Sequence, residues 1–366
     1  MRIVLFSFMF IDYTAQLASA LSRNATVMLF LPKGAESGGE LGPLADGVDM
    51  QLFGEGRVRP YNPRYALAFL SVVRLIQKFK PDVMHCQGAF HPWFGFVAPF
   101  LKRYPLVATF HDVEPHPGEG SWSQTFHEWC ARKASDQIIV HGHRLKAQMI
   151  ARYQVPESKV NPVHIGEHQV EPFLKHARQD IKEDGNLVLF FGRIYRYKGL
   201  EYLIKAQPLI NKEVPGARIV IAGAGEDFAT YENMMGDAKA NFIVHNYRIP
   251  YDEGAALFQR CSVVVMPYTE ASQSGVVPTA YGFRKPVVVT DVGSVPEIVD
   301  DGQTGFVVPP RDPEALAKAI VRLLKDEKLR REMGDNAFAK LKADFSWGKI
   351  ADETIGVYQK AIEARR

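Results

Sequence analysis

Short apolar runs of strand type alternate with amphipathic segments of helical period along most of this 366-residue chain. That alternation constrains the fold more than any single motif, because parallel strands need crossovers and the crossover helices cover both faces of the sheet. Strands are predicted at 3–7, 26–31, 83–85, 106–109, 137–140 and 160–163. The crossover at 64–80 is amphipathic: Ser71, Arg74 and Lys78 form a polar stripe, with Leu67, Leu70, Val73 and Leu75 among the apolar positions. From 165 to 185 the pattern lapses into polar, charged residues, then restarts with strands predicted at 187–191, 218–222, 242–245, 262–266, 287–290 and 305–308. Helices fit 199–213, 252–260, 275–284, 313–325 and 328–343, the fourth opened by Asp312-Pro313 as cap and first helical residue. A last helix follows Phe345-Ser346-Trp347 to the C-terminus.

The length exceeds that at which one core stops growing, so two domains are expected, divided near residue 170. A net charge of +3 is too small to argue for nucleic acid, and none is expected as a partner, although it permits a local basic face. No apolar run reaches the roughly 18 residues of a membrane span. The segment 1–8 reads as a first buried strand and not as a cleaved leader. Three scattered cysteines, Cys86, Cys130 and Cys261, supply no disulfide framework and fit a reducing cytoplasm, so the sequon Asn24-Ala25-Thr26 is expected to be unused.

Chemistry is expected where strands end. Gly192 and Arg193 follow one predicted strand, and Lys198 opens the next helix. An Arg and a Lys held at a sheet edge neutralise a diphosphate, Arg by bidentate contact and Lys as a point charge. The plain alternative is a surface loop with two solvated cations. Gly223, Gly225 and Glu226 follow another strand, where glycines let the backbone turn close to a ligand. The full GxGxxG fingerprint is absent because position 228 is Phe, which disfavours a nicotinamide enzyme, and Glu226 alternatively caps its own turn. In the loop from Pro267 through Glu270 to Val276, a helix begins near Gly275, so the N–H groups of Ser274, Gly275 and Val276 form an anion site; Pro278 costs no helical bond there, and a simple Ser-capped helix is the alternative.

Five motifs in order resemble the large family 4 of retaining, GT-B-fold glycosyltransferases that includes sucrose synthase and bacterial mannosyl- and glucosyltransferases. They are FGR-x4-KG at Phe191, AGAGE at Ala222, the Glu270 loop, GFRKPVVVTDVGSVPEIV at Gly282 and DGQTGFVVPP at Asp301. The resemblance is strong from about 187 to 345 and weaker before it; Phe345-Ser346-Trp347 resembles the family's terminal segment. It implies an α/β GT-B fold: two facing Rossmann-like domains with a cleft between them and a C-terminal helix returning to the first. An acceptor domain of residues 1–170 would be completed by 346–366, and a donor domain would span 171–345.

The resemblance also implies roles. Arg193 and Lys198 bind the donor diphosphate, and the N–H groups of Ser274, Gly275 and Val276, beside Gln273, hold its distal phosphate. Arg248 and Ile249 stand where the family grips the base through backbone, Glu226 lies near the ribose-side loop, and Glu270 meets sugar hydroxyls. His111, after the strand ending in Thr109-Phe110, matches the cleft histidine that faces the transferred sugar, and His164-Ile165-Gly166 resembles the domain-closing turn. The family spaces two glutamates eight positions apart; here Ala271 and Thr279 occupy those places, so the usual ribose-binding carboxylate is missing. A family subset shares the Gln-Ser-Gly-Val-Val-Pro-Thr-Ala arrangement, which implies a variant active site.

Nine of eleven histidines precede residue 170. His111, Asp112 and His116, or His141 with His143, suggest a metal, but neither spacing matches a closed zinc site, and no metal is expected. His116 and Glu119 are assigned to the acceptor side. The expected donor is a UDP- or GDP-sugar, with a glycan or lipid-linked acceptor. Arg57, Arg59, Arg64, Arg74, Lys78, Lys80, Lys102 and Arg103, interleaved with Tyr61, Tyr65, Phe69 and Phe79, suit an anionic membrane surface or, equally, the solvated side of a crossover helix. That membrane reading places a cytoplasmic enzyme at the inner face. An epimerase or phosphorylase on the same fold, or a nonenzymatic sugar-nucleotide-binding protein, remain as alternatives.

Overall fold

In the computed structural model, residues 1–7, 9–34, 44–53, 64–88, 102–114, 122–167 and 169–366 are described, the side chains of 64–69 and 122–124 excepted. The chain divides into two compact units, one of Met1–His168 with Trp347–Arg366, the other of Gln169–Ser346.

The first unit is built on seven strands: β1 (Arg2–Ser7), β2 (Thr26–Pro32), β3 (Val48–Phe53), β4 (Val83–Gln87), β5 (Leu106–Phe110), β6 (Gln137–Val140) and β7 (Val160–Pro162). They lie in the order β3-β2-β1-β4-β5-β6-β7, all pairings parallel. β4, β5 and β6 are buried at every residue, as expected of strands covered on both faces. β3 escaped the sequence reading: it is an edge strand with only Phe53 buried, so it carries no continuous apolar run. In the helix Arg64–Phe79, Val72, Val73 and Ile76 face the core while Ser71, Arg74 and Lys78 are exposed; Leu70, counted among the apolar positions, is exposed too. The C-terminal helix Trp347–Glu363 packs in this unit against the helix Ile11–Leu21 and the strands β4 to β6, burying Ile350, Val357 and Tyr358.

The second unit holds β8 (Leu187–Phe191), β9 (Arg218–Ala222), β10 (Phe242–His245), β11 (Val263–Met266), β12 (Val287–Thr290) and β13 (Gly305–Val308), ordered β10-β9-β8-β11-β12-β13 and again all parallel. Asp312 caps the helix Pro313–Lys325 through the N–H groups of Glu314 and Ala315. Two helices in this unit lie outside the expected set, Val170–Leu174 and Ala229–Met235. Each is too short for a helical period to accumulate. The former lies in the polar stretch after 165 and docks Val170 and Phe173 against Gly282 and Gly254. Among the described residues, no helix is long and apolar enough to cross a membrane.

Candidate functional site

In a parallel sheet all strands end at one edge, and the loops that leave that edge are where ligands collect. In the second unit three of those loops are pressed together. Gly192 donates its N–H to Ala222 O at 2.9 Å, Ile194 to Ala224 O at 2.9 Å, and Glu226 to Ile194 O at 2.9 Å. A Cβ at Gly223 would stand 1.8 Å from Gly192 O, and one at Gly225 1.8 Å from Ile194 O. Glycine is therefore required at both positions by backbone contact alone.

The loop carrying Arg193 and Lys198 also meets the one after β11. Thr269 donates its N–H to Tyr197 O at 2.8 Å, and a Cβ at Gly199 would stand 1.9 Å from Pro267 O. Lys198 Nζ lies 3.8 Å from the centre of the Tyr268 ring, and Arg193 Nη2 donates to Tyr197 Oη at 3.0 Å. Arg193 remains exposed.

The third loop leads into the helix Val276–Gly282, whose N-cap residue Gly275 supplies no side-chain cap. Ser274 Oγ accepts weakly from Val276 N–H, at 3.3 Å, and lies 3.4 Å from Tyr268 Oη. Gln273 Oε1 is buried with no hydrogen-bond partner, a costly state that a donor hydroxyl would relieve. Thr279 is buried, and its hydroxyl donates to Gly275 O at 3.0 Å, so the residue at the family's second glutamate position satisfies itself within its own helix.

The structure thus brings Gly192, Arg193, Lys198, Gly223 and Gly225 into one cluster of loops with Gln273, Ser274, Gly275 and Val276. The carboxylate of exposed Glu226 accepts from Tyr231 Oη at 2.8 Å, a contact to the helix of its own βα unit. Arg248 and Ile249 follow β10, whose last carbonyl, His245 O, accepts from Gly223 N–H at 3.0 Å; Arg248 is exposed and Ile249 half-buried. Glu270 is exposed at the tip of the loop after β11. Tyr197 and Tyr268 were not singled out from sequence. An aromatic beside each lysine-bearing or serine-bearing loop was the available signal.

In the first unit, register does the placing. Phe110 pairs with Val140 and Val140 with Pro162, so His111, His141 and Val163 follow side by side on adjacent strands. His141 Nδ1 is 2.9 Å from Val163 O, and its Nε2 is 3.0 Å from His111 Nδ1. His111 Nε2 is 3.1 Å from Gln87 Oε1; Gln87 Nε2 is 3.3 Å from His85 Nε2, which also contacts Thr109 Oγ1 at 2.7 Å. His85 Nδ1 reaches Tyr358 Oη at 2.7 Å. All of these side chains are buried, His111 being 4% exposed under the stacked ring of Phe10 at 3.7 Å. Burial pushes His85 down to about 3 and His141 down to about 4, so both rings are neutral at ordinary pH. Of the sequence candidates here, His111 alone falls in this chain; His116 and Glu119 lie outside the described residues. His85, Gln87 and His141 were not assigned to it, because the contact depends on strand order. Among the described residues, no group of three or more His, Cys, Asp or Glu side chains is arranged to hold a metal.

Known proteins resemble this chain in family and in fold. Residues 173–340 match the family described as glycosyl transferases group 1, and residues 12–166 match glycosyltransferase family 4. An uncharacterized glycosyltransferase of Methanocaldococcus jannaschii is 30% identical over 303 residues, covering 78% of this chain and 76% of that protein. The alpha-D-kanosaminyltransferase of Streptomyces kanamyceticus is 28% identical, covering 75% and 76%. Among solved structures, sucrose-phosphate synthase from Thermosynechococcus elongatus superposes with a TM-score of 0.74 at 20% identity, covering 100% of both chains. Anabaena HepE in complex with UDP gives 0.72 at 18% identity, covering 97% of this chain and 99% of that one.

Proposed function

This chain belongs to the GT-B-fold glycosyltransferases of family 4, and from that premise we propose that it moves a hexose from a nucleoside diphosphate sugar to an acceptor hydroxyl, with retention at the anomeric carbon. The observation that carries this reading is the junction of the Arg193–Lys198 loop with the helix start at Gly275 through Tyr268 and Thr269. Two cations and the N–H groups of the helix start then face one diphosphate.

As the sugar departs, negative charge grows on the diphosphate. Arg193 and Lys198, already anchored on Tyr197 and Tyr268, offset that charge without reorganising, and the N–H groups of Ser274, Gly275 and Val276 hold the distal phosphate. These fixed positive groups make a divalent metal dispensable. A leaving phosphate oxygen takes the acceptor's proton, so no protein nucleophile is needed. Gln273 Oε1 and Glu270 accept from sugar hydroxyls, Glu226 serves the ribose side, and the backbone around Arg248 and Ile249 receives the base. His111 steadies the transferred sugar, with His116 and Glu119 on the acceptor side. The residues Met1–His168 with Trp347–Arg366 take the role of acceptor unit and Gln169–Ser346 that of donor unit.

The acceptor is a glycan or a lipid-linked sugar, and exposed Arg74, Lys78 and Lys80 suit an anionic membrane surface. A panel of UDP- and GDP-sugars in a thermal-shift assay identifies the donor. Release of nucleoside diphosphate with candidate acceptors then separates a transferase from a protein that only binds: saturable binding without release in any acceptor mixture contradicts transfer.

A further inference from the structure

The buried chain Val163, His141, His111, Gln87, His85, Tyr358 has a direction that its two ends impose. A carbonyl only accepts, so His141 Nδ1 carries hydrogen and donates to Val163 O. Neutral His141 therefore offers a lone pair at Nε2, and His111 Nδ1 must donate to it. That leaves His111 Nε2 as the variable atom. With Gln87 Oε1 toward it, Nε2 carries hydrogen and the ring is an imidazolium; Gln87 Nε2 then donates to His85 Nε2, and His85 Nδ1 donates to Tyr358 Oη. With the Gln87 amide turned over, a neutral His111 accepts at Nε2, His85 carries hydrogen at Nε2, and Tyr358 Oη donates to His85 Nδ1. Each arrangement sets a donor against an acceptor at every contact of the chain, the Thr109 hydroxyl at His85 Nε2 included, and a mixture of the two sets donor against donor or acceptor against acceptor at one contact.

We propose that His141, Gln87 and His85 are positioning residues that confine proton exchange to His111 Nε2, with the Gln87 amide and the His85 tautomer turning over in step with that proton. The proton comes from solvent, and the ring gains one hydrogen and one positive charge. Phe10, stacked on the His111 ring at 3.7 Å, gives the cation a π face, and Tyr13 meets the same ring edge-on at 5.2 Å. Among the described residues, the titratable and charged groups around this chain are His85 on β4, Asp112 beside His111, His141 after β6, His164 after β7, Tyr13 on the first helix and Tyr358 on the last. The relay does not rest on the transferase reading.

Ring nitrogens of the full chain, labelled with nitrogen-15 in histidine and free of any sugar nucleotide, report the relay directly by NMR. The three rings are assigned from single His→Gln variants. Between about pH 4.5 and about pH 9, His141 should keep hydrogen at Nδ1 and His111 should lose one hydrogen from Nε2. His85 should exchange Nδ1–H for Nε2–H at the same midpoint. A His85 tautomer that stays fixed while His111 titrates overturns the proposal, as does hydrogen on His141 Nε2 or a His111 ring that does not titrate. Gln87→Glu should raise the His111 midpoint by about one pH unit or more through its added charge. Gln87→Leu should uncouple His85 from it. Unmoved midpoints in both variants also contradict the relay. Because no nucleotide is present, a failed transferase assignment leaves these readings unchanged.

Discussion

Lys198 holds its ammonium group 3.8 Å from the centre of the Tyr268 ring, and that contact ties the loop after β8 to the loop that opens the helix Val276–Gly282. The ring fixes the lysine in place before any ligand arrives. Lys198→Met keeps an apolar stem over Tyr268 and removes only the charge. Nucleoside diphosphate affinity should fall about tenfold or more, since hydrogen bonds to charged groups are worth roughly 1.5–3 kcal/mol. Titration calorimetry measures the loss, and an unchanged melting temperature shows that the fold is kept.

Gly225→Ala should be far more damaging than its size suggests. The added methyl would sit 1.8 Å from Ile194 O, against backbone that is itself hydrogen-bonded to Ala224 and Glu226. Thermal unfolding should drop by several degrees and donor binding should be lost with it. Gly348→Ala, where an added methyl meets nothing within 4 Å, serves as the silent control.

Much of this fold was legible because buried parallel strands are written as short continuous apolar runs. The observed Leu187–Phe191, Arg218–Ala222 and Phe242–His245 have the predicted bounds. The edge strand Val48–Phe53 and the five-residue helix Val170–Leu174 were not legible, because an exposed edge needs no apolar run and one turn shows no period. In the same way the glycine and cation motifs could be read from their places after strands. The histidine chain could not, since His85, His111 and His141 become neighbours only through the order β4-β5-β6.

Glu183 joins two buried cations in the second unit: it accepts from Lys285 Nζ at 2.6 Å and from Arg330 Nε at 2.9 Å. Burial pushes its carboxyl up, but the hydrogen bonds and charges of Lys285 and Arg330 outweigh burial and hold it below the usual value. A carboxyl lowered on folding stabilises above its unfolded pKa of about 4.3, and that stabilisation is lost as pH falls through the folded value. Glu183→Gln leaves two buried cations without a counter-charge but keeps a polar acceptor, and because Glu183 itself is exposed to solvent the cost should be about 1–3 kcal/mol, read from urea unfolding at neutral pH. Below about pH 4 the gap between variant and wild type should narrow.

The first unit has a different acid window. His85 and His141 are lowered to about 3 and about 4 by burial, so the folded state refuses protons that the unfolded chain accepts below about 6.5. The stability they permit is therefore complete above about pH 6.5 and is lost as pH falls toward those folded values. Hydrogen exchange at pH 5 should show β4 to β6 opening more readily than at pH 7.5, before the second unit responds. Equal protection of β4 to β6 at the two values would show that these rings do not govern acid stability.

Hydrogen exchange with and without a saturating nucleoside diphosphate tests the account most directly. If the cationic loop and the helix start close on one diphosphate, amides of 192–199 and of 273–277 gain protection together, and Arg193→Ala with Lys198→Met abolishes both effects. Protection of one segment without the other, or of neither when the ligand is bound, would contradict the account.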